Sequence, residues 1–488
     1  MISPFIVLFI LVLYFLMLFF ISKLASKDST DETFFTGNRK SPWFIVAVGM
    51  IGTAISGVTF VSLPGSVLNN SYHYGQFILG NIFGYLFVMI FLIPIYYKLK
   101  LVSIYTYLEK RFGWYSYKTG SFIFIVSRSF GAALRMLLAI KILSVFFKDW
   151  NLSFLFIGII SMILVFLYTY KSGVKTLVYT DFIQTIFLIS AALFVVITIY
   201  SQLNMSFGEI ITIADQKNYL NFFDFDWRSK QFFWKQFISG ILIAIAMTGL
   251  DQDMMQKGLT ISNVKDSQKN TFFFSFFVAI VQILFLFLGV LLFIYADHFQ
   301  ITLPIKDGII ETDKVFPEII KRGYFGTLTS IIFILGVSAA AFASFDSALT
   351  SLTTSFSYDF LNIEKRKNQK TIKNMVHIGF SIFLLIIMMF FSEKKGDIFG
   401  QIFSLASYTY SPLLGIFMLG VFTKKKWLDW SIPIACILGP INAYFLNSYL
   451  KNNFNFDAGF ITILTGSILT ILIILLINIL FHKKNSTK

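Results

Sequence analysis

The sequence has few charged residues and lacks the common motifs of soluble enzymes. Only 13% of its 488 residues are Asp, Glu, Lys or Arg, about half the share found in soluble globular domains. Cys436 is the single cysteine, so no disulfide can form within the chain. There is no Gly-Lys dipeptide, which excludes a P-loop, and no H-E-x-x-H motif. These absences argue against an enzyme.

The net charge of +15 comes from basic residues that lie in short loops between apolar stretches. A nucleic-acid-binding protein instead clusters its Lys and Arg on one surface. We therefore predict an integral membrane protein that binds no nucleic acid and has the lipid bilayer as its surroundings.

Thirteen stretches are long and apolar enough to cross a bilayer, which takes about 20 residues. Numbered as spans 1 to 13, they cover residues 4–24, 43–68, 75–97, 120–147, 152–170, 176–200, 232–250, 270–297, 324–352, 373–392, 398–423, 427–447 and 458–481. The predicted fold class is an all-α integral membrane protein with about 13 transmembrane helices.

The basic residues of the loops predict the orientation of these spans. With the N-terminus outside, the inner loops hold roughly twice as many Lys and Arg as the outer loops, in agreement with the positive-inside rule. The apolar run of span 1 is longer than that of a signal peptide, so we expect a retained helix. The sequence thus predicts a multi-pass protein of the cell membrane with its C-terminus in the cytoplasm.

Small residues crowd span 2 and span 7. They are Gly49, Gly52, Ser56, Gly57, Pro64 and Gly65 in span 2, and Gly240, Thr248 and Gly249 in span 7. Such residues either let a helix unwind at mid-membrane, which frees carbonyls for an ion, or let helices pack closely. Because span 7 lies five spans after span 2 and runs the opposite way, the pair predicts two inverted five-helix repeats, spans 2–6 and 7–11.

The domain organisation follows from these repeats. We expect an extra N-terminal helix and cytoplasmic loop over residues 1–42, the first repeat over 43–200, an extracellular loop over 201–231, the second repeat over 232–423, and helices 12 and 13 with a short cytoplasmic tail over 424–488.

Among the ionisable residues of the predicted spans, four are candidates for function, since a charge inside a membrane is costly and usually functional. Asp181 lies in span 6 and Asp346 in span 9, while Arg128 and Arg135 lie seven residues apart on one face of span 4. The alternative for the two aspartates is a polar cap near a helix end. For the two arginines it is a structural ion pair between helices.

Several motifs together resemble the sodium:solute symporter (SSS) family, whose fold is of the leucine-transporter type. In chain order they are "FFTGNRKSP" (34–42), "GTAISGVTFVSLPG" (52–65), "SIYTYLEKRFG" (103–113), "YKSGVKTLVYTDFIQ" (170–184), "GLDQDMMQKGL" (249–259), "ASFDSALTSLTTSFSYDF" (343–360) and "YSPLLGIFMLGVF" (410–422). Each motif is weak by itself, but their common order over residues 30–425 is specific.

The resemblance implies a sodium site between span 2 and span 9. Its carbonyl ligands would be those of Gly52, Ile55 and Ala340, and its hydroxyl positions would be 343 and 344. Here the sequence departs from the family, because Ala343 stands where most members have Ser and only Ser344 retains the hydroxyl. One side-chain oxygen is therefore missing from the predicted site.

The resemblance further implies a possible second sodium ion, held by Asp181 and Ser347 with Asp346 close by. The solute would lie beside the break in span 2. The predicted substrate-binding residues are Ser56, Gly57, Thr59, Phe60, Tyr74, Phe77, Arg135 and Met247. If Arg135 faces the cavity, its guanidinium favours a carboxylated solute through bidentate pairing.

The predicted function is sodium-coupled symport of a small polar or carboxylated solute, such as a sugar, a sialic acid, an amino acid or a monocarboxylate, by alternating access. Na⁺ is the predicted coupling ion, and we expect the protein to act as a monomer. A sodium-independent facilitator shares the architecture without needing ion ligands, and a transporter-like sensor needs a separate output partner. These two remain the alternative interpretations of the sequence.

Overall fold

The computed structural model describes residues 3–26, 31–170, 173–306, 308–392 and 398–485. Within this part of the chain, nine helices are long and apolar enough to cross a membrane, and two bent helix pairs raise the number to eleven. The prediction of an all-α membrane protein is therefore confirmed. Spans 5 and 12 correspond to helices Phe154–Thr169 and Ser431–Phe454, which are not among the eleven. The count of thirteen spans thus stays a prediction.

The helices of the first half of the chain follow the predicted spans closely. They are α1 (Pro4–Ala25), α2 (Asp31–Thr36), α3 (Trp43–Ala54), α4 (Gly57–Asn70), α5 (Tyr74–Phe87), α6 (Ile93–Lys98), α7 (Thr106–Arg111), α8 (Trp114–Phe146), α9 (Phe154–Thr169) and α10 (Val174–Leu203). A short π-helical segment, Val88–Leu92, joins α5 to α6.

The second half begins with the segment predicted as an outer loop, which contains one helix. The helices are α11 (Phe207–Gln216), α12 (Phe233–Ala244), α13 (Gln252–Gly258), α14 (Val264–His298), α15 (Thr312–Lys321), α16 (Gly326–Ser355), α17 (Gln369–Phe391), α18 (Ile398–Phe422), α19 (Ser431–Phe454) and α20 (Thr462–Asn485). Two-residue strands β1 (Ile305–Lys306) and β2 (Ile309–Ile310) form a small antiparallel hairpin.

Spans 2 and 7 are both broken, as predicted. In span 2 the axes of α3 and α4 differ by 59°. In span 7, residues Phe233–Gly249 and helix α13 differ by 66°. The break in span 7 is stabilised by Asp251, whose side chain caps α13 by accepting a hydrogen bond from the Asp253 N–H (2.8 Å).

The glycines of span 2 also allow close helix packing. A methyl group on Gly49 would lie 3.1 Å from the Asp181 Cβ on α10, and the Gly52 N–H donates to the Thr185 hydroxyl (3.0 Å). At the other side of the break, a methyl group on Gly57 would lie 3.4 Å from the Ala341 Cβ on α16. The two interpretations of these glycines are therefore compatible, because the broken helix is held tightly between spans 6 and 9.

Candidate transport site

The break in span 2 leaves the backbone carbonyls of residues 52–55 without a helical partner, and Gly52 and Ile55 are among them. The last regular bond of α3 runs from the Ile55 N–H to the Ile51 carbonyl (2.8 Å), and the next bond along the chain runs from Phe60 to Ser56 (3.0 Å). No donor among the described residues reaches the carbonyls of Gly52 or Ile55. Buried carbonyls normally have a partner, so these two oxygens are available to an ion.

Helix α16 packs against this break and carries the other predicted sodium ligands. Ala340, Ala343 and Ser344 are fully buried, and the Ser344 hydroxyl donates to the carbonyl of Ala341 (3.1 Å). That bond leaves the lone pairs of the Ser344 oxygen free to accept or coordinate. The donor set of two free carbonyls and a buried hydroxyl suits a small hard cation, which prefers oxygen ligands. Ala343 adds no side-chain oxygen.

We expect Ser344→Ala to weaken sodium binding by roughly tenfold. The interaction of one polar group with a charged partner contributes about 1.5 kcal/mol, and the variant loses the hydroxyl oxygen that would coordinate the ion. Equilibrium ²²Na⁺ binding to the purified protein measures the change. Ser351→Ala is the matched control, because Ser351 lies on the same helix, is buried and makes the same type of bond to Ala348 (2.9 Å). Equal sodium affinity in both variants would show that Ser344 is not a ligand.

The structure brings together Asp181 and Ser347, the residues of the predicted second sodium site. The Ser347 hydroxyl donates to Asp181 Oδ2 (3.3 Å), and so does the hydroxyl of Thr53 (3.3 Å). A fourth residue, Lys257 of α13, also reaches this point, and its ammonium donates to Asp181 Oδ2 at 2.5 Å. Asp346 is bound separately, because its Oδ2 accepts from the Tyr168 hydroxyl (2.6 Å).

Sequence reasoning missed Lys257. It lies seven residues beyond the predicted inner end of span 7, where a lysine usually extends to the lipid headgroups, and nothing in the local pattern distinguishes it from such a lysine. In the folded protein it is only 2% exposed. The break in span 7 explains the difference, because α13 turns back into the protein after the bend.

A cavity lies beside the break and is lined by residues of both broken spans. Four of the predicted substrate residues line it, namely Tyr74, Phe77, Arg135 and Met247. The other four do not line it, namely Ser56, Gly57, Thr59 and Phe60. Phe60 instead packs among the rings of Phe285, Phe316 and Phe333. The bend after α3 thus directs this start of α4 into the protein core.

The cavity has a polar lining that the sequence prediction missed. Asn81, Thr248 and Gln282 contribute to it, and the side-chain oxygens of Asn81 and Gln282 have no hydrogen-bond donor among the described residues. The signal was present, since Asn and Gln are rare in apolar spans and costly there without a partner. Such groups fit a solute with several hydroxyl or amide groups.

The two arginines of α8 have different surroundings. Arg128 contacts Asp253 directly, and its second nitrogen lies 3.9 Å from Asp251 Oδ2. Asp251 also accepts a hydrogen bond from the Tyr410 hydroxyl (2.5 Å). Arg135 lines the cavity, is 8% exposed and has no ion-pair or hydrogen-bond partner among the described residues. The ion-pair alternative therefore applies to Arg128, while Arg135 is free to bind a solute.

Two broken spans, free carbonyls at one break and a polar cavity between them define an ion-coupled secondary transporter. The sodium:solute symporter family matches residues 34–429. The chain belongs to this family. It is therefore a sodium-coupled symporter with Na⁺ as the coupling ion, a multi-pass membrane protein, and a transporter instead of an enzyme.

Individual relatives agree with this assignment. The chain is 26% identical over 418 residues to the sodium/sialic acid symporter SiaT of Proteus mirabilis. That alignment covers 82% of this chain and 81% of the relative. It is 25% identical to the sodium/sialic acid symporter NanT of Aliivibrio fischeri, in an alignment that covers 82% of this chain and 79% of the relative. A solved structure of a substrate-bound, outward-open Na⁺-coupled sialic acid symporter matches with a TM-score of 0.83, covers 98% of both chains and shares 23% identity. That likeness confirms the leucine-transporter-type fold.

Proposed function

We propose that the protein imports a carboxylated sugar of the sialic acid class together with sodium. The observation that carries this proposal is the Arg135 guanidinium, which faces the cavity without a partner in the described part of the chain. A buried charge is costly unless it is paired. An anionic solute would supply the missing partner, so binding the solute would remove that cost.

The shape of the Arg135 side chain favours a carboxylate over a single-atom anion. A guanidinium presents parallel N–H groups that match the two oxygens of a carboxylate. Two relatives that cover about four fifths of this chain are named for the transport of sialic acid, a sugar that carries one carboxylate. The chemistry of Arg135 and the solute of these relatives therefore agree.

The rest of the cavity supports a sugar instead of a small monocarboxylate. Polar and aromatic side chains line it together, as in a site that fixes the orientation of a polar solute. The amides of Asn81 and Gln282 can bond hydroxyl or acetamido groups, and Tyr74 and Phe77 offer ring faces for the apolar face of a sugar. A solute the size of lactate would leave these amides without a partner.

Several predictions on topology belong to the same proposal. We propose an N-terminus outside and a C-terminus in the cytoplasm, two repeats over residues 43–200 and 232–423, and a monomer as the functional unit. The distribution of Lys and Arg in the loops supports the orientation. Cysteine labelling from each side of the membrane tests it, after Cys436 is replaced by Ser.

A thermal-shift experiment on the purified protein tests the solute. We expect N-acetylneuraminic acid to raise the unfolding midpoint when sodium is present, because a ligand that binds the native state stabilises it. The methyl ester of the same sugar, in which the carboxylate is neutral, is the matched control and should give little or no shift. Equal shifts with acid and ester would contradict a carboxylate contact. A shift with glucose or lactate alone would contradict the solute class.

A further inference from the structure

We propose that the ammonium group of Lys257 occupies the position predicted for a second sodium ion, so that the protein binds a single Na⁺, at the break in span 2. The number of ions per transport cycle is then fixed by a residue of the chain. This inference concerns the ion and holds for any solute.

The hydrogen bonds of Lys257 carry the inference. An ammonium has three N–H donors and no acceptor. Its nitrogen donates to Asp181 Oδ2 (2.5 Å), to the Thr53 hydroxyl and to the Ser347 hydroxyl. Each donor therefore has one oxygen acceptor. These three oxygens include both ligands of the predicted second sodium site, and the cation they surround is the lysine itself.

Burial makes this arrangement specific. Thr53, Asp181, Lys257 and Ser347 are all 2% exposed or less. A buried ammonium that lost its carboxylate would be left as an uncompensated charge, which is strongly destabilising. A sodium ion placed beside the ammonium would also be repelled by its positive charge. The two cations therefore compete for one position.

The elements that carry these residues make the lysine a tethered cation. Lys257 belongs to α13, the inner part of broken span 7, and Thr53 belongs to α3 of broken span 2. Asp181 lies on α10 and Ser347 on α16. The ammonium thus joins both broken spans to spans 6 and 9. Unlike a sodium ion, it cannot leave for the cytoplasm when these helices move apart.

Asp346 is the nearby acidic residue that the ammonium does not bind. One of its oxygens accepts from Tyr168, while its Oδ1, like Asp181 Oδ1, has no donor among the described residues. In the competing arrangement, these two oxygens would coordinate a second sodium ion while the lysine stays in place. Counting bound ions separates the two arrangements.

The test is equilibrium ²²Na⁺ binding to the purified protein without solute, which depends on neither transport nor the identity of the solute. We expect one ion per wild-type protein with a Hill coefficient near 1. Lys257→Ala vacates the position and should bind two ions with a Hill coefficient above 1. Lys257→Ala combined with Asp181→Asn removes the carboxylate as well and should return the count to one.

Lys235→Ala is the matched control, because Lys235 is also a buried lysine of span 7 but donates to backbone carbonyls of Ser229 (3.0 Å) and Asp457 (2.8 Å). It should leave the count at one. Two ions on the wild-type protein would overturn the proposal, whether or not any variant folds. A count of one on folded Lys257→Ala would overturn it too, and Lys257→Gln offers a second variant if the alanine protein is unstable.

Discussion

Arg135→Gln is expected to weaken the binding of N-acetylneuraminic acid by roughly 30- to 700-fold. Removing one partner of a desolvated, hydrogen-bonded charge pair costs about 2–4 kcal/mol. Here the partner left behind is the carboxylate of the solute, which would then enter a cavity without a matching cation. Isothermal titration calorimetry in the presence of sodium measures the loss. Sodium binding without solute should be unchanged, since Arg135 is not one of the proposed sodium ligands.

Arg135→Lys separates charge from shape. Lysine retains the positive charge but lacks the planar fork that binds two oxygens at once. We therefore expect an affinity between those of the wild-type and Gln proteins. The methyl ester of the sugar provides a second comparison. Wild-type protein should prefer the acid strongly, while Arg135→Gln should bind acid and ester with similar affinity.

Arg366→Gln is the control for the Arg135 variants, because Arg366 is exposed and bonds a backbone carbonyl outside the cavity. It should leave solute affinity at the wild-type level. If Arg135→Gln retained both wild-type affinity and a preference for the acid, Arg135 would not be the carboxylate ligand. The proposed solute class would then lose its main support.

The broken helices could be predicted from the sequence because their cause is local. Glycine and proline weaken a helix wherever they occur, so the crowding in residues 46–67 indicates a break without knowledge of the neighbouring helices. The same is true of the free carbonyls of Gly52 and Ile55, which follow directly from the end of α3. The prediction of the sodium site rests on this local signal together with the family resemblance.

The lining of the cavity was harder to predict, because it depends on the direction in which a helix leaves its break. Ser56 to Phe60 are close to the break in sequence, yet the 59° bend turns this segment towards α14, α15 and α16. The position of Lys257 also depends on the direction in which a helix leaves its break. This residue lies beyond the predicted end of span 7, yet it is buried because the 66° bend of span 7 redirects α13.

In the described part of this protein, some buried cationic side chains contact a carboxylate, and Arg135 does not. We infer that the paired side chains stabilise the fold and that the unpaired one binds the solute. Lys257 and Arg128 each contact a carboxylate, so each stabilises the contact between neighbouring spans. Arg135 lies two helical turns from Arg128 on the same face of α8 and contacts none among the described residues. A guanidinium that the fold leaves without a partner is available to a ligand. The two arginines therefore should respond to substitution in opposite ways.

Arg128→Met is expected to destabilise the protein by about 3–5 kcal/mol, the usual cost of removing one partner of a buried ion pair. Asp251 and Asp253 would remain buried beside each other without their cation. Arg135→Gln, by contrast, should leave stability unchanged or raise it, because it removes a charge that has no partner in the described fold. Unfolding by sodium dodecyl sulfate in mixed micelles measures both variants.

Arg128→Met combined with Asp253→Asn should recover part of the stability, since the second change neutralises the carboxylate that Arg128 contacts directly. The matched control is Lys217→Met, which breaks the exposed ion pair with Asp297 and should cost less than about 1 kcal/mol. If Arg128→Met cost no more than Lys217→Met, the cluster would not hold span 7 to span 4. If Arg135→Gln were as destabilising as Arg128→Met, Arg135 would have a structural partner and could not be reserved for the solute.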